Sequence, residues 1–438
     1  MYKNKFPLFL ASAAAAALVL TCPSTGSRDT AKAAETPVLE VFSSSGADFS
    51  GDDFQAFDVG PGLDNLSPSD EYAAYQWGFK NYGDLRMIEI RKRFTDISQK
   101  YRNVIDPSGL IGLPRHNGPD TYERITTDSV PGIDINILPA WDQYEQIKNK
   151  REVIVAVVDT GIDISHPDLK NAVWTNTDEI PGDGIDNDGN GFVDDVNGWN
   201  FFHNNNQVYV GEEDDHGTHV AGTIAASRGN GGIVGITNNS YVKIMPVKAL
   251  GTASGTGKPE MIISAIKYAE ANGASICNLS SGTLTSYPEL NEVIKNSNML
   301  FIVAAGNGDT NDIGYSLDVN PVYPAALPYD NIISVANLMF DGSLDESSNF
   351  GPSSVDIAAP GSFIVSTVPH GYGVMSGTSM AAPMVTGVAA MLYSAHPDWT
   401  VLDVKNAILN SSRKLETLTG NVVTGGILDA SAAMQYQK

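Results

Sequence analysis

The stretch SGTSMAAP, residues 376–383, sets a serine among small residues just ahead of a long apolar run, MVTGVAAMLYSA. A serine hydroxyl is a weak nucleophile at neutral pH and needs a base within hydrogen-bond reach, for which histidine has the matching pKa. His216, in DDHGTHVAGT, stands just before a helix of small residues. Its imidazole in turn needs a carboxylate to fix the tautomer and stabilise the imidazolium. Asp159 closes the buried-strand pattern EVIVAVVD and suits that role. Asn307, past the end of FIVAAG, offers a side-chain N–H to a developing oxyanion. The Ser379 backbone N–H, at a helix N-terminus, offers a second. Taken singly these are a solvated strand-end Asp, a capping His, a turn Asn and a capping Ser. Taken together they are the parts of an acyl-transfer site.

Such parts must be held by a scaffold. From about residue 150, short β-branched runs alternate with helical stretches: 152–159, 241–250, 275–281, 299–306 and 331–337 read as strands, and 219–227, 259–273 and 288–297 as helices. Continuous apolar strands alternating with helices predict a mostly parallel sheet covered on both faces. In such sheets functional groups collect at the carboxyl ends of the strands, where Asp159 and Asn307 stand. TVLD, 400–403, is a capping box that opens a further helix.

The blocks VVDTGID, HGTHVAGT, AAGN and SGTSMAAP, in that order, resemble the four signature blocks of the subtilisin-like serine proteases, the subtilases. The resemblance spans roughly residues 140–433. It implies a subtilisin-like three-layer α/β fold and a serine endopeptidase working through an acyl-enzyme. It makes Asp159, His216 and Ser379 the triad and Asn307 the oxyanion-hole residue; His219 is structural in this motif. It also implies that a polypeptide substrate binds as an added strand between two edges. Ser280, Ser281 and Gly282 would form one edge and pocket wall, and Gly255, Thr256 and Gly257 the other edge. Ala304, Ala305 and Gly306 would form the opposite wall, with Val322 at the pocket floor limiting its depth to medium apolar side chains. A peptide ligase or macrocyclase, or an inactive peptide-binding scaffold, are the alternatives; retention of every catalytic residue type argues against the scaffold.

A second constellation is acidic. In DGIDNDGNGFVDDVNGWNF, 183–201, Asp186, Asp188, Asn190 and Asp194 fall at positions 1, 3, 5 and 9 of a calcium loop. Gly191 takes position 6 and Phe192 position 7, which ligates through its carbonyl. Position 12 is Asn197 rather than a bidentate Glu, so the loop is not a standard EF-hand. Some subtilases carry a similar acidic insertion that binds Ca2+, and that likeness adds Asp195 as a ligand. Asp168 matches a position often used as a calcium ligand in the family, although its partner loop, 227–235, departs from the usual asparagine-rich pattern.

The remaining features bound the surroundings. With 27 Lys and Arg against 51 Asp and Glu, the chain carries a formal charge of -24, which excludes nucleic acid or an anionic membrane as main partner. Two cysteines, Cys22 and Cys277, make a disulfide framework unexpected. Lys3 and Lys5 precede an apolar stretch from Phe6 to Leu20, shorter than the ~20 residues of a spanning helix, with AKA at 31–33 as a small-residue cleavage site. Residues 1–34 therefore read as a signal peptide and the protein as a secreted monomer, with lipid anchoring through Cys22 as the variant. Residues 35–69 read as a flexible acidic segment. Residues 70–438 read as the peptidase domain, with an insertion at about 84–130 expected to form a surface helix and loop. EYAAYQWGFKN, 71–81, resembles the start of the mature enzyme in many subtilases, and the short stretch before it predicts maturation without a folded propeptide domain.

Overall fold

The structure, a computed structural model, describes residues 40–41, 55–59, 69–70, 72–83, 85–93, 121–237, 241–251, 255–309 and 312–438. The expected signal peptide and Cys22 lie outside the described residues, as does most of the acidic segment and the middle of the insertion. Apart from Ser69 and residues 129–130, what is described of the acidic segment and insertion is strand. Glu40–Val41 form β1, Gln55–Val59 β2, Leu85–Arg93 β3 and Thr121–Asp128 β4. Strands β2, β3 and β4 make an antiparallel sheet with β3 central, Phe57 opposite Met87 and Ile90 opposite Arg124. QAFDV and LRMIEIRKR follow strict alternation only in part, with Ala56 and Phe57 adjacent, Met87 and Ile88 adjacent, and Arg91, Lys92 and Arg93 all basic, so the strand period is weak in the sequence.

From Asp70 the chain is tied to the main domain. The Asp70 carboxylate accepts the backbone N–H groups of Gly229, Asn230 and Gly231. Gln76 donates to the Val234 carbonyl and accepts from its N–H, and Trp77 Nε1 donates to the Ser362 carbonyl.

The expected apolar runs are the strands of one large sheet: β5 Val153–Asp159, β7 Val242–Lys248, β8 Ile276–Leu279, β10 Leu300–Ala304 and β11 Ile332–Leu338. They are buried almost throughout, as strands covered on both faces must be. Shorter strands extend it: β6 Trp199–Asn200, β12 Ile357–Pro360, β15 Arg413–Lys414 and β16 Gly426–Ile427. The order is β15-β16-β12-β11-β10-β8-β5-β7-β6, parallel except for the β15–β16 pair. β5 is flanked by β7 and β8, both later in sequence, so connections leave it on either side. That is the switch point outside which sites form, and β5 ends in Asp159.

Helices α1 Ile137–Gln146, α2 Asp215–Ala225, α3 Pro259–Ala271, α4 Pro288–Asn296, α5 Thr378–Ala395, α6 Val401–Asn410 and α7 Ala430–Met434 complete this three-layer α/β fold. Proline opens α3 and α4, where its missing N–H has no helical partner to lose. The capping box ahead of α6 forms as expected: Asp403 N–H reaches Thr400 Oγ at 3.2 Å and Thr400 N–H reaches the Asp403 carboxylate at 2.8 Å. Helix α5 is buried along nearly its whole length, which its alanines and Gly387 allow. Helix α2 is held under the hairpin of β13, Ile364–Val368, and β14, Gly371–Met375: Ser366 Oγ donates to the His219 carbonyl and Thr367 Oγ to that of Thr218. Among the described residues no helix is long and apolar enough to cross a membrane.

Candidate active site

Asp159 ends β5 and is buried. Its Oδ1 accepts the Thr160 N–H at 2.7 Å and faces His216 Nδ1 at 2.7 Å, while Oδ2 has no partner among the described residues. His216 is the second residue of α2, so a helix N-terminus and a strand C-terminus meet at this bond. Two glycines allow the approach. A Cβ on Gly217 would lie 2.2 Å from the Gly161 carbonyl oxygen and 3.2 Å from Asp159. Gly161 has φ +122°, and a Cβ there would strike the Asp214 carboxylate. The imidazole is fully buried, which pulls its pKa down; the Asp159 charge, its hydrogen bond and nearby Asp215 more than offset this, and the net shift is upward. Nε2 is buried and has no partner among the described residues. His219, one turn on, donates Nε2 to the Ile364 carbonyl, and burial pushes its pKa down to about 3, so it is a neutral structural group as expected.

Ser379 is the second residue of α5, behind Gly377, whose φ of 146° only glycine adopts readily. Its Oγ donates to the Ser280 carbonyl at 3.3 Å. Pro383 sits inside α5, past its first turn. Lacking an N–H, it supplies no helical donor to the carbonyl four residues back, that of Ser379. Ser280 Oγ donates there instead, at 3.2 Å. Ser280 is steadied by Asn278 Nδ2 at 3.0 Å, and Asn278 Oδ1 accepts from Thr386 Oγ at 2.8 Å. The missing helical donor is thus replaced by Ser280, which follows β8.

Asn307 follows β10. Its Oδ1 accepts both the backbone N–H and the hydroxyl of Thr378, each at 2.8 Å. The Thr378 oxygen also accepts the Gly306 N–H at 3.0 Å. With the amide oxygen engaged, Nδ2 is aimed away from Thr378; it is buried and has no partner among the described residues. An amide donor oriented next to a serine at a helix N-terminus can stabilise an oxyanion.

The two segments expected to form substrate edges are both extended or bridged. Ser281–Gly282 form β9, and Thr283 pairs with Tyr323, the residue after Val322. Val322 is buried, and Ala304, Ala305 and Gly306 run on from the end of β10. Thr256 pairs with Gly251 beyond the end of β7, flanked by Gly255 and Gly257. β9 already carries a strand: β1 pairs with it antiparallel, Glu40 opposite Gly282 and Val41 opposite Ser281. The chain's own N-terminal segment therefore lies on the edge expected to take a peptide.

The acidic loop divides its carboxylates between two tasks. Glu179, Asp188 and Asp195 each bring one oxygen within 4.8 Å of the others. The amide groups of Asn176 and Asn190 both donate to Asp188 and Asp195, so the positive ends of two amide dipoles face this cluster through four hydrogen bonds. Asp195 is fully buried and also accepts Tyr268 Oη at 2.6 Å; burial still pushes its pKa up, the hydrogen bonds and Asn contacts only moderating the shift. Asp186 and Asp194 lie outside the cluster: Asp186 accepts the N–H groups of Asn190 and Gly191, and Asp194 those of Gly182 and Gly184. Phe192 packs among Trp199, Phe201 and Tyr268. Glu179 precedes the loop spacing, and beside Asp178 and Asp183 in TNTDEIPGDG nothing in the sequence singles it out. Asp168 is engaged by the Asn230 side chain and the Ile233 N–H.

Residues 150–426 match the model of the family described as "Subtilase family". The chain is 38% identical to the major intracellular serine protease of Bacillus subtilis (strain 168) over 265 residues, 59% of this chain and 74% of that protein. It is 36% identical to subtilisin-like protease 1 of Plasmodium berghei (strain Anka) over 356 residues, 77% of this chain and 54% of that protein. It is 37% identical to the intracellular serine protease of Paenibacillus polymyxa over 267 residues, 60% of this chain and 72% of that protein.

Proposed function

The chain belongs to the subtilase family and is a serine endopeptidase, and on that premise we propose that Asp159, His216 and Ser379 are its triad and Asn307 its oxyanion-hole residue. The observation that carries this reading is the pairing of oriented groups: His216 bonded to Asp159 through Nδ1 with Nε2 left over, and Asn307 bonded to Thr378 through Oδ1 with Nδ2 left over. The first pair yields a base and the second a donor, and Asn307 is bonded to Thr378, the residue next to Ser379.

In the forward step His216 Nε2 takes the Ser379 hydroxyl proton as Oγ adds to the scissile carbonyl. The negative charge that forms on the carbonyl oxygen is held by Asn307 Nδ2 and the Ser379 N–H, with the α5 dipole behind it. Collapse breaks the C–N bond, and His216 returns the proton to the leaving amine. Water then repeats the sequence on the acyl-enzyme. Asp159 stays ionised and keeps the imidazole in the tautomer with its Nδ1 proton toward Oδ1. A polypeptide substrate lies extended against Ser280–Gly282 and Gly255–Gly257, and the β1–β9 pairing supports that mode, since the edge accepts a strand of this chain. Val322 restricts the pocket to medium apolar side chains.

Glu179, Asp188 and Asp195 suit Ca2+: a set of hard carboxylate oxygens, one fully buried, with polar groups already drawn to their midst. When bound the ion neutralises their mutual repulsion and cross-links the loop around Asp188 to the segment at Glu179. Export rests on the residues 1–34 pattern.

The decisive experiment is labelling with a serine-directed phosphonylating reagent. Folded protein is modified at Ser379 and loses peptide hydrolysis, and Ser379→Ala abolishes both. Hydrolysis surviving in Ser379→Ala overturns the assignment.

A further inference from the structure

Four acids, Glu212, Glu213, Asp214 and Asp215, stand directly before His216, and one ammonium is buried among them from another element. Lys248 ends β7 and is completely buried. Its stem cannot snorkel to water, so its ammonium must find its partners inside. It finds three. Nζ donates to the Thr160 carbonyl, to Asp214 Oδ1 at 2.7 Å and to Glu213 Oε1 at 3.0 Å. An ammonium has three N–H groups, so its donors are fully used.

These partners belong to the two elements that carry the acid and the base. Thr160 directly follows Asp159, and Asp214 immediately precedes α2, whose second residue is His216. Asp214 also accepts the N–H groups of Val210 and Gly211, fixing the turn that leads into the helix. Thr160 Oγ accepts the Gly217 N–H at 3.1 Å. On the main chain, Lys248 is the register partner of Asp159, and the next two residues donate to the Asp159 carbonyl at 3.0 and 3.1 Å. The segments on both sides of the Asp159–His216 bond are therefore tied to the end of β7.

We propose that Lys248 is a positioning residue for the acid–base pair: its buried ammonium ties the end of the Asp159 strand to the turn that launches the His216 helix. The assignment rests on the triad reading above. Lys248 does not touch substrate. It sets where His216 stands relative to Asp159 and Ser379, and displacement of about 1 Å at such a site can cost about 10²-fold in rate.

The test compares Lys248→Met, which keeps the stem and removes the charge, with Thr400→Ala, which weakens a helix cap far from the site. Removing one partner of a buried pair destabilises strongly, so Asp214→Asn, which keeps one acceptor oxygen, serves as the second variant. Three quantities are read on folded protein: kcat and KM for a peptide, the rate of Ser379 phosphonylation, and the low-field proton NMR signal of the His216 Nδ1–H. Lys248→Met lowers kcat and the phosphonylation rate about 10- to 100-fold with KM within about 2-fold, and shifts or broadens the low-field signal. Asp214→Asn gives the same pattern at about 3- to 10-fold. Thr400→Ala lowers Tm and leaves all three unchanged. Unchanged phosphonylation and signal in either folded Lys248 or Asp214 variant overturns the proposal, as does a loss that appears in KM. Failure of the triad reading itself is distinguishable, because Ser379→Ala would then keep its activity.

Discussion

The Thr378 hydroxyl is the least conspicuous atom on which the proposed oxyanion site depends. Asn307 could present either its oxygen or its nitrogen to a substrate, and only the nitrogen stabilises negative charge. Two bonds from Thr378, one from the backbone N–H and one from Oγ–H, select the oxygen-inward orientation. Thr378→Val has nearly the same shape and removes one of the two. A hydrogen bond of this kind contributes about 0.5–1.5 kcal/mol, so kcat falls by about 2- to 13-fold if that preference is lost where the transition state needs it. Removing the donor itself, as in Asn307→Leu, costs about 10²–10³ in kcat, a magnitude measured within this same family. The Gly306 N–H also loses its acceptor, which lowers folding stability by about 1–3 kcal/mol.

The assay is a double-mutant cycle on kcat for a chromogenic peptide, with KM monitored and Tm recorded for each protein. If Thr378 acts through the Asn307 amide, Thr378→Val has no further effect on kcat once Asn307 is leucine. Equal factors in the two backgrounds would refute the reasoning, because Thr378 would then act on Ser379 directly. A rise in KM with unchanged kcat would refute it too, since the amide is placed for the transition state rather than for the bound peptide.

Three further outcomes follow from the same structure. His219 has its pKa pushed down to about 3 by burial, so between about pH 6.5 and 3 the unfolded chain binds a proton that the folded one does not, and stability falls as pH falls through that window. In a Ser379→Ala background, urea unfolding should lose about 2 kcal/mol from this group between pH 6.5 and 5, and His219→Gln should flatten the profile by that amount; parallel profiles would count against it. Calcium at 100 times its Kd should stabilise Ser379→Ala by about 2.7 kcal/mol, and Asp195→Asn should abolish the effect; a Tm indifferent to chelator in the parent protein sinks the site. A chain starting at Ser69 lacks β1, so its KM for a peptide should fall several-fold with kcat unchanged, measured against the full chain; identical KM values would mean that Glu40–Val41 do not compete for the edge.

The residues that sequence alone exposes are those whose role is set by their place on a local element. Asp159 ends an apolar strand, Asn307 follows one, and His216 and Ser379 each start a helix of small residues, so type and position point to the same conclusion. The large sheet was legible for the same reason, because runs of buried β-branched residues need no partner to declare themselves. What stayed hidden depends on pairings between distant segments. Glu179 joins Asp188 and Asp195 from outside the loop spacing, and Lys248 meets Asp214 from 34 residues away. β2 reaches β3 across the docked segment that contains Trp77, so the short strand pattern of each could not announce the other. Pro383 shows the intermediate case. Its presence near the start of a helix is visible, but that it frees the Ser379 carbonyl for Ser280 requires knowing that the helix begins at Thr378 and that β8 ends beside it. The distinction has a consequence for function. Groups proposed to perform the chemistry are locally encoded, while those proposed to hold it in register, Lys248 and Thr378 among them, are encoded by tertiary contact, and on that reading substitutions there should change kcat before they change which peptides bind.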